Sequence, residues 1–131
     1  MPIPLGANHE ENVPVTDRVA IRFLGLDRAR VLSTPHLIGF LEMTARNLIK
    51  KHVQAGEDSV GTLVNIRHLA ATPIGMGVRL RAEVVSVDGQ RVTCRVEAWD
   101  DREKIAEGTH ERFVVDVARF GDKVLAKSDG R

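Results

Sequence analysis

One long amphipathic segment, followed by four strand-like segments with no second long helix between them, is the feature that most constrains the fold. Ser33-Thr34-Pro35 is a helix-start signal, and Gly56 is a typical end signal. The apolar residues recur at helical spacing: Leu37, Ile38, Leu41, Ala45, Leu48 and Ile49. The opposite face is polar, with Arg46, Asn47, Lys50, Lys51 and Gln54. This pattern predicts an amphipathic helix of about 20 residues.

The four segments after the helix alternate between apolar and polar residues, as half-buried strands do. They span residues 61–71, 78–87, 91–100 and 104–115. The predicted inward residues are Thr62, Val64, Ile66, His68 and Ala70 on the first, Val78, Leu80, Ala82 and Val84 on the second, and Val92, Cys94, Val96 and Ala98 on the third. Asp88-Gly89 predicts a hairpin turn, Asp100-Asp101 another turn, and Gly108 a bulge or kink in the last strand.

The chain ends are less regular. We predict a loose N-terminal arm over residues 1–12 and an extended segment over residues 13–23. Asp116 is a suitable cap for a short terminal helix, and residues 127–131 form a polar tail. The 131 residues suit one domain, 1–131.

A strand, one long helix and four strands joined by tight turns fit an α+β architecture in which one antiparallel sheet wraps around the helix. This is the layout of a hot-dog fold. One helix leaves the sheet edges unprotected, so we expect a homodimer or a higher homo-oligomer.

Composition excludes several classes of partner. The net charge of +1 and an aromatic content of 4% do not favour nucleic acid or a membrane surface. We find no secretory leader and no apolar run long enough to cross a bilayer. The single cysteine, Cys94, fits a reducing compartment and is most simply buried filler. These features predict a cytoplasmic protein.

Two ionisable residues break the apolar patterns. Glu42 lies within the apolar stripe of the predicted helix, and His68 shares the inward face of the following strand. A charged group on a core face costs several kcal/mol unless it is paired or its pKa shifts. Alone, Glu42 is more simply a rim residue and His68 a hydrogen-bonded core residue. Together, on surfaces that should meet, they are equally well explained as an active site.

Thr34 is a third candidate, although a capping role is favoured for it. On one regular helix, Thr34 and Glu42 would stand about 12 Å apart along the axis. They can act together only if Thr34-Pro35 lies in a loop that folds back, or if the site combines two subunits. His110 is favoured as a structural residue. His9, His36 and His52 show no metal-ligand spacing.

Three runs of sequence carry a family resemblance. They are STPHLIGFLEMTA, GTLVNIRHLAATPIGMGVRLRAEVVSVDGQRV and EGTHERFVVDVARF. Together they resemble the fluoroacetyl-CoA thioesterase branch of the hot-dog thioesterases, over about residues 31–120. The resemblance implies that Thr34, Glu42 and His68 form the catalytic set. It also implies that Gly61 and Arg112 contact the substrate.

The implied activity is hydrolysis of a small or medium acyl-CoA, without a metal or redox cofactor. Glu42 would attack the thioester or activate a water, and His68 would assist as acid and base. The family has aromatic residues in a lid ahead of the threonine. This chain has GLDRARVL there, so the resemblance implies thioester hydrolysis and leaves open whether fluoroacetyl-CoA is a substrate. A non-catalytic acyl-CoA-binding module is the main alternative, and a hot-dog dehydratase ranks lower.

Overall fold

The computed structural model describes residues 3–22, 25 and 29–130 of the chain. Within them lie five strands and two α-helices: β1 (Asn8–Pro14), α1 (Thr34–Lys50), β2 (Glu57–His68), β3 (Gly77–Asp88), β4 (Arg91–Trp99), β5 (Lys104–Asp116) and α2 (Val117–Ser128). The strands form one antiparallel sheet in the order β1-β3-β4-β5-β2. The predicted architecture of one sheet wrapped around one long helix is therefore confirmed.

Helix α1 begins where the sequence predicts. The side chain of Ser33 accepts a hydrogen bond from the backbone N–H of His36, and Pro35 occupies the first turn. The helix has 17 residues and ends at Lys50, earlier than the predicted end at Gly56. Turns fill the gap, and Gly56 adopts a φ of +88° just before β2 begins.

The core lies between α1 and the central strands. The buried residues of α1 are Leu37, Leu41, Thr44, Ala45, Leu48 and Ile49. Those of β3 and β4 are Val78, Leu80, Ala82, Val84, Val92, Cys94, Val96 and Ala98. The inward faces predicted for these two strands are confirmed. Burial of these apolar side chains supplies the main favourable free energy of folding.

The predictions for the N-terminal region are wrong. Residues 8–14 form β1, paired from Asn8↔Glu83 to Pro14↔Gly77, rather than a loose arm. The chain then leaves the sheet and forms a short 3₁₀ helix, Asp17–Val19, where an extended segment was predicted. Strand β1 is held by backbone hydrogen bonds, and its side chains are at most half-buried. It therefore carries no apolar alternation that a sequence pattern could reveal.

Strand β2 begins at Glu57, four residues earlier than predicted, and contains a bulge. Its register with β5 shifts between Gly61 and Leu63. Thr62 therefore lies on the outer face, where its hydroxyl donates to the carboxylate of Glu111, and its predicted inward position is wrong. The extra residue places Gly61 and His68, an odd number of residues apart, on the same helix-facing side.

The pairing of β5 is regular at Gly108 itself, through Gly108↔Val96 and Gly108↔Ile66, and the predicted irregularity lies three residues earlier, where the register with β4 skips Ile105. A glycine is required at position 108 for a different reason. A Cβ at position 108 would lie 2.0 Å from the carbonyl oxygen of Asn65 on β2. Close approach of two backbones therefore excludes a side chain here.

The C-terminal helix is confirmed. The Asp116 side chain caps α2 by accepting from the backbone N–H of Arg119. Lys127 and Ser128 complete the helix, so the polar tail is helical at its start. Neither α1 nor α2, the helices of the described residues, is long and apolar enough to cross a membrane.

Candidate active site

Two of the predicted catalytic side chains meet at the start of α1. Thr34 Oγ1 lies 2.8 Å from Nδ1 of His68, the last residue of β2. Ser33, and not Thr34, caps the helix, so the capping role favoured for Thr34 is wrong. Because its hydroxyl is free of that role, Thr34 can hold the imidazole. We call Thr34 and His68 the helix-start pair.

The surroundings of His68 favour a neutral imidazole. Its Nε2 atom is buried and has no hydrogen-bond partner within the described part of the chain. Burial lowers the pKa of the imidazole below its ordinary value, because the charged form is poorly solvated. The ring is therefore neutral near pH 7 and can accept a proton.

Glu42 lies two turns further along α1, apart from the helix-start pair. A Cβ built on Gly61 would lie 2.8 Å from Glu42 Oε2, so the glycine leaves the space that the carboxylate uses. The Glu42 side chain is 40% exposed. Glu42 therefore stands at the rim of the apolar stripe, with one side open to solvent and the other against β2.

Arg112 lies beneath this carboxylate and is only 6% exposed. Its Nε donates to Ser59 Oγ and its Nη2 donates to the Ser59 carbonyl oxygen, both at 2.7 Å. Its Nη1 lies 3.8 Å from Glu42 Oε2. Because the two bonds to Ser59 fix the guanidinium plane, the remaining nitrogen, Nη1, is directed toward Glu42.

His110 completes this group and was not predicted to belong to it. The ring is fully buried, and its Nε2 lies 3.1 Å from Nη1 of Arg112. The signal in the sequence is its spacing, since positions 110 and 112 share one face of a regular strand. We call Glu42, Gly61, His110 and Arg112 the carboxylate cluster.

Within one chain, the structure does not bring the three predicted catalytic residues together. Thr34 bonds to His68, whereas Glu42 contacts Gly61 and Arg112. Helix α1 is regular from Thr34 to Lys50, which excludes the fold-back loop that would have joined Thr34 to Glu42. The two groups therefore stand about 12 Å apart along the helix axis.

Other candidate residues have structural partners. His9 bonds to Glu11 and Lys51, and His36 bonds to Ser33. Cys94 is fully buried as predicted, and burial raises the pKa of its thiol to about 11. Across residues 3–22, 25 and 29–130, no three His, Cys, Asp or Glu side chains group as metal ligands would. The predicted lid difference lies in the segment GLDRARVL, residues 25–32, of which positions 26–28 are outside the described residues.

Comparison with known families identifies the chain. The sequence model of the fluoroacetyl-CoA-specific thioesterase family matches residues 15–118. The chain belongs to this family. A fluoroacetyl-CoA thioesterase from Streptantibioticus cattleyicolor is 38% identical over 98 residues, which cover 75% of this chain and 70% of that protein. The resemblance inferred from the three sequence runs is thereby confirmed.

Solved structures agree with this family of thioesterases. A fluoroacetyl-CoA thioesterase variant in complex with acetyl-CoA superposes with a TM-score of 0.88 at 30% identity, over 95% of this chain and 98% of that one. A hot-dog-like protein from Thermanaerovibrio acidaminovorans has a TM-score of 0.85 at 23% identity, over 95% and 92% of the two chains. The hot-dog fold predicted from the sequence is confirmed.

Proposed function

We propose that this chain is a cytoplasmic acyl-CoA thioesterase that hydrolyses a small or medium acyl-CoA to the free acid and CoA. The observation that carries the proposal is the half-exposed Glu42 carboxylate, set against Gly61 and 3.8 Å from the buried Arg112. A carboxylate in such a place can approach an electrophilic carbonyl from solvent. Family membership supplies the thioester as the class of substrate.

The proposed reaction uses Glu42 as nucleophile or as base. In the first route a carboxylate oxygen attacks the thioester carbonyl, the C–S bond breaks, and water then cleaves the mixed anhydride. In the second, Glu42 takes a proton from the attacking water. In both routes, the imidazole of His68 accepts the proton that the water loses or donates the proton that the CoA thiolate gains. Gly61 leaves room for the Glu42 carboxylate, and Arg112 supplies positive charge beside it.

We infer that the working site combines two subunits. One chain separates the helix-start pair from the carboxylate cluster by about 12 Å along α1 and by roughly 20 Å along β2. However, the bulge after Gly61 keeps Gly61 and His68 on the same face of β2. Two copies of this strand paired antiparallel, with Asn65 opposite its own copy at the two-fold axis and the bulged Thr62 left unpaired, would set Gly61 opposite His68 of the partner subunit.

The exposed surface supports this pairing. Strand β2 is at the edge of the sheet, so one row of its backbone groups is unpaired. Val64 points to the helix side yet is 43% exposed, and Met43 on the neighbouring face of α1 is 47% exposed. A second copy would cover both residues and complete two equivalent sites in a homodimer.

The direct test is hydrolysis of acyl-CoA thioesters of graded chain length, measured as released thiol. We expect turnover by the wild-type protein, with kcat reduced about 10³-fold in Glu42→Gln because the neutral amide neither attacks nor accepts a proton. Glu103→Gln is the matched control, since Glu103 is an exposed glutamate in the β4–β5 turn.

Two results would overturn the proposal. Unchanged activity in Glu42→Gln would remove Glu42 from the mechanism. Tight binding of acyl-CoA without turnover across the whole panel would instead favour a binding module.

A further inference from the structure

His110 makes a pair of contacts that the proposed reaction leaves unexplained. The ring is fully buried in β5, between Val64 of β2 and Cys94 of β4 in the strand register. Its Nδ1 lies 2.8 Å from the carbonyl oxygen of Leu63, the residue at which the β2 register resumes after the bulge. Its Nε2 lies 3.1 Å from Nη1 of Arg112.

These two partners determine where the ring proton resides. A carbonyl oxygen only accepts hydrogen bonds, so Nδ1 of His110 must carry the hydrogen and donate it to Leu63. Arginine only donates, so Nε2 must offer its lone pair to Nη1 of Arg112. The arrangement therefore requires the neutral imidazole with its hydrogen on Nδ1.

We propose that His110 is a positioning residue, which ties the guanidinium of Arg112 to the β2 bulge and so holds it against Glu42. This role rests on the proposed thioesterase function. Ser59 fixes Nε and Nη2 of Arg112, and His110 fixes the remaining nitrogen, Nη1, which faces the carboxylate. Without His110, Nη1 would lose its acceptor inside the protein, and the guanidinium would be held less firmly beside Glu42.

Burial and the positive charge of Arg112 favour a neutral His110 ring, while the carboxylates of Glu42 and Glu111 act in the opposite direction. Arg112 and Glu111 lie on its own strand, Glu42 approaches from α1, and Cys94 packs from β4. Burial is the main cause that lowers the pKa of His110. Protonation would remove the Nε2 lone pair that accepts from Arg112, and it would place a second positive charge beside the guanidinium.

Two conservative variants separate the two contacts. In His110→Gln the amide oxygen reaches the place of Nε2 and can accept from Arg112. In His110→Asn the shorter amide reaches the place of Nδ1 and can donate to Leu63, which leaves Arg112 without its acceptor. Each variant keeps one contact of the pair, so a purely structural role predicts similar losses in both.

The measurements are kcat and KM for a short acyl-CoA, and the ¹⁵N-edited NMR signal of the Arg112 Nε–H, assigned by its loss in Arg112→Lys. We expect kcat about tenfold higher in His110→Gln than in His110→Asn, with similar KM values. The Arg112 signal should resemble that of the wild type in His110→Gln and shift or broaden in His110→Asn.

The NMR readout keeps this inference separate from the proposed function. An absence of turnover by the wild-type protein would contradict the proposed function. A difference in the Arg112 signal between His110→Gln and His110→Asn would still support the positioning role. Equal Arg112 signals in the two variants would overturn that role whatever the activity. Equal kcat values in an active enzyme would overturn its importance for catalysis.

Discussion

The helix-start pair and the carboxylate cluster differ in how firmly the protein holds them. Thr34 and His68 meet at the first residue of a helix and the last residue of a strand, where Thr34 is exposed and one hydrogen bond joins the side chains. In the carboxylate cluster, by contrast, Arg112 is fixed by two bonds to Ser59 and by His110. The helix-start pair rests on one side-chain hydrogen bond, whereas Arg112 and His110 of the carboxylate cluster are anchored in the sheet.

This difference suggests a division of labour. Stabilising developing charge requires groups that are already in place, because reorganisation would reduce their effect. Transferring a proton tolerates a side chain that rotates about a single bond. The carboxylate cluster therefore suits attack on the carbonyl, and the helix-start pair suits proton transfer.

The largest expected effect concerns the strand that links the two groups. Gly108→Ala would push a methyl group to 2.0 Å from the Asn65 carbonyl oxygen, so β2 and β5 would have to separate at the middle of their pairing. We expect a loss of about 3 kcal/mol or more in the free energy of unfolding, measured by urea denaturation.

Gly39→Ala is the control for this substitution. Gly39 lies inside α1 and a Cβ there meets nothing within 4 Å. Alanine should stabilise the helix by up to about 1 kcal/mol. If Gly108→Ala were as stable as Gly39→Ala, the close packing of the two strands would be refuted.

The next effect falls on the carboxylate cluster alone. In Gly61→Ala the new methyl group would lie 2.8 Å from Glu42 Oε2, a mobile side-chain end, and 3.1 Å from Cε1 of the buried His110, which must shift slightly. We therefore expect kcat/KM to fall about 10- to 100-fold while the free energy of unfolding falls by only about 1 kcal/mol. Unchanged kcat/KM would mean that the position of Glu42 beside Gly61 is not the reactive one.

The smallest effect falls on the helix-start pair. Thr34→Val keeps the side-chain shape but removes the hydrogen bond to His68, so we expect about a tenfold loss in kcat with unchanged thermal stability. Ser33→Ala should instead cost about 1 kcal/mol of stability because Ser33 caps α1. A stability loss in Thr34→Val equal to that in Ser33→Ala would restore the capping role of Thr34.

The fold was largely predictable because its core follows simple periodicities. The stripe of α1 and the alternation of β3 and β4 each report which side is buried. Strand β1 was missed because its side chains are mostly polar and at most half-buried, which leaves no such pattern. The bulge was also missed, since a single inserted residue does not alter the composition of β2.

The candidate site was predictable residue by residue but not in its arrangement. Glu42 and His68 stood out as ionisable residues in apolar patterns. Their separation depends on helix geometry and on the bulge, which a wheel or an alternation pattern cannot supply. His110 was left aside because the kink expected at Gly108 obscured its face, whereas the strand is regular there.

Complementation between two inactive variants tests the shared site most directly. Glu42→Gln and His68→Ala would each be inactive as homodimers, and a mixed dimer would regain one intact site out of two. Random mixing of equal amounts after unfolding and refolding should then restore about a quarter of the wild-type rate, since half of the dimers are mixed. A mixture that stays as inactive as its two components would contradict a site built from two subunits.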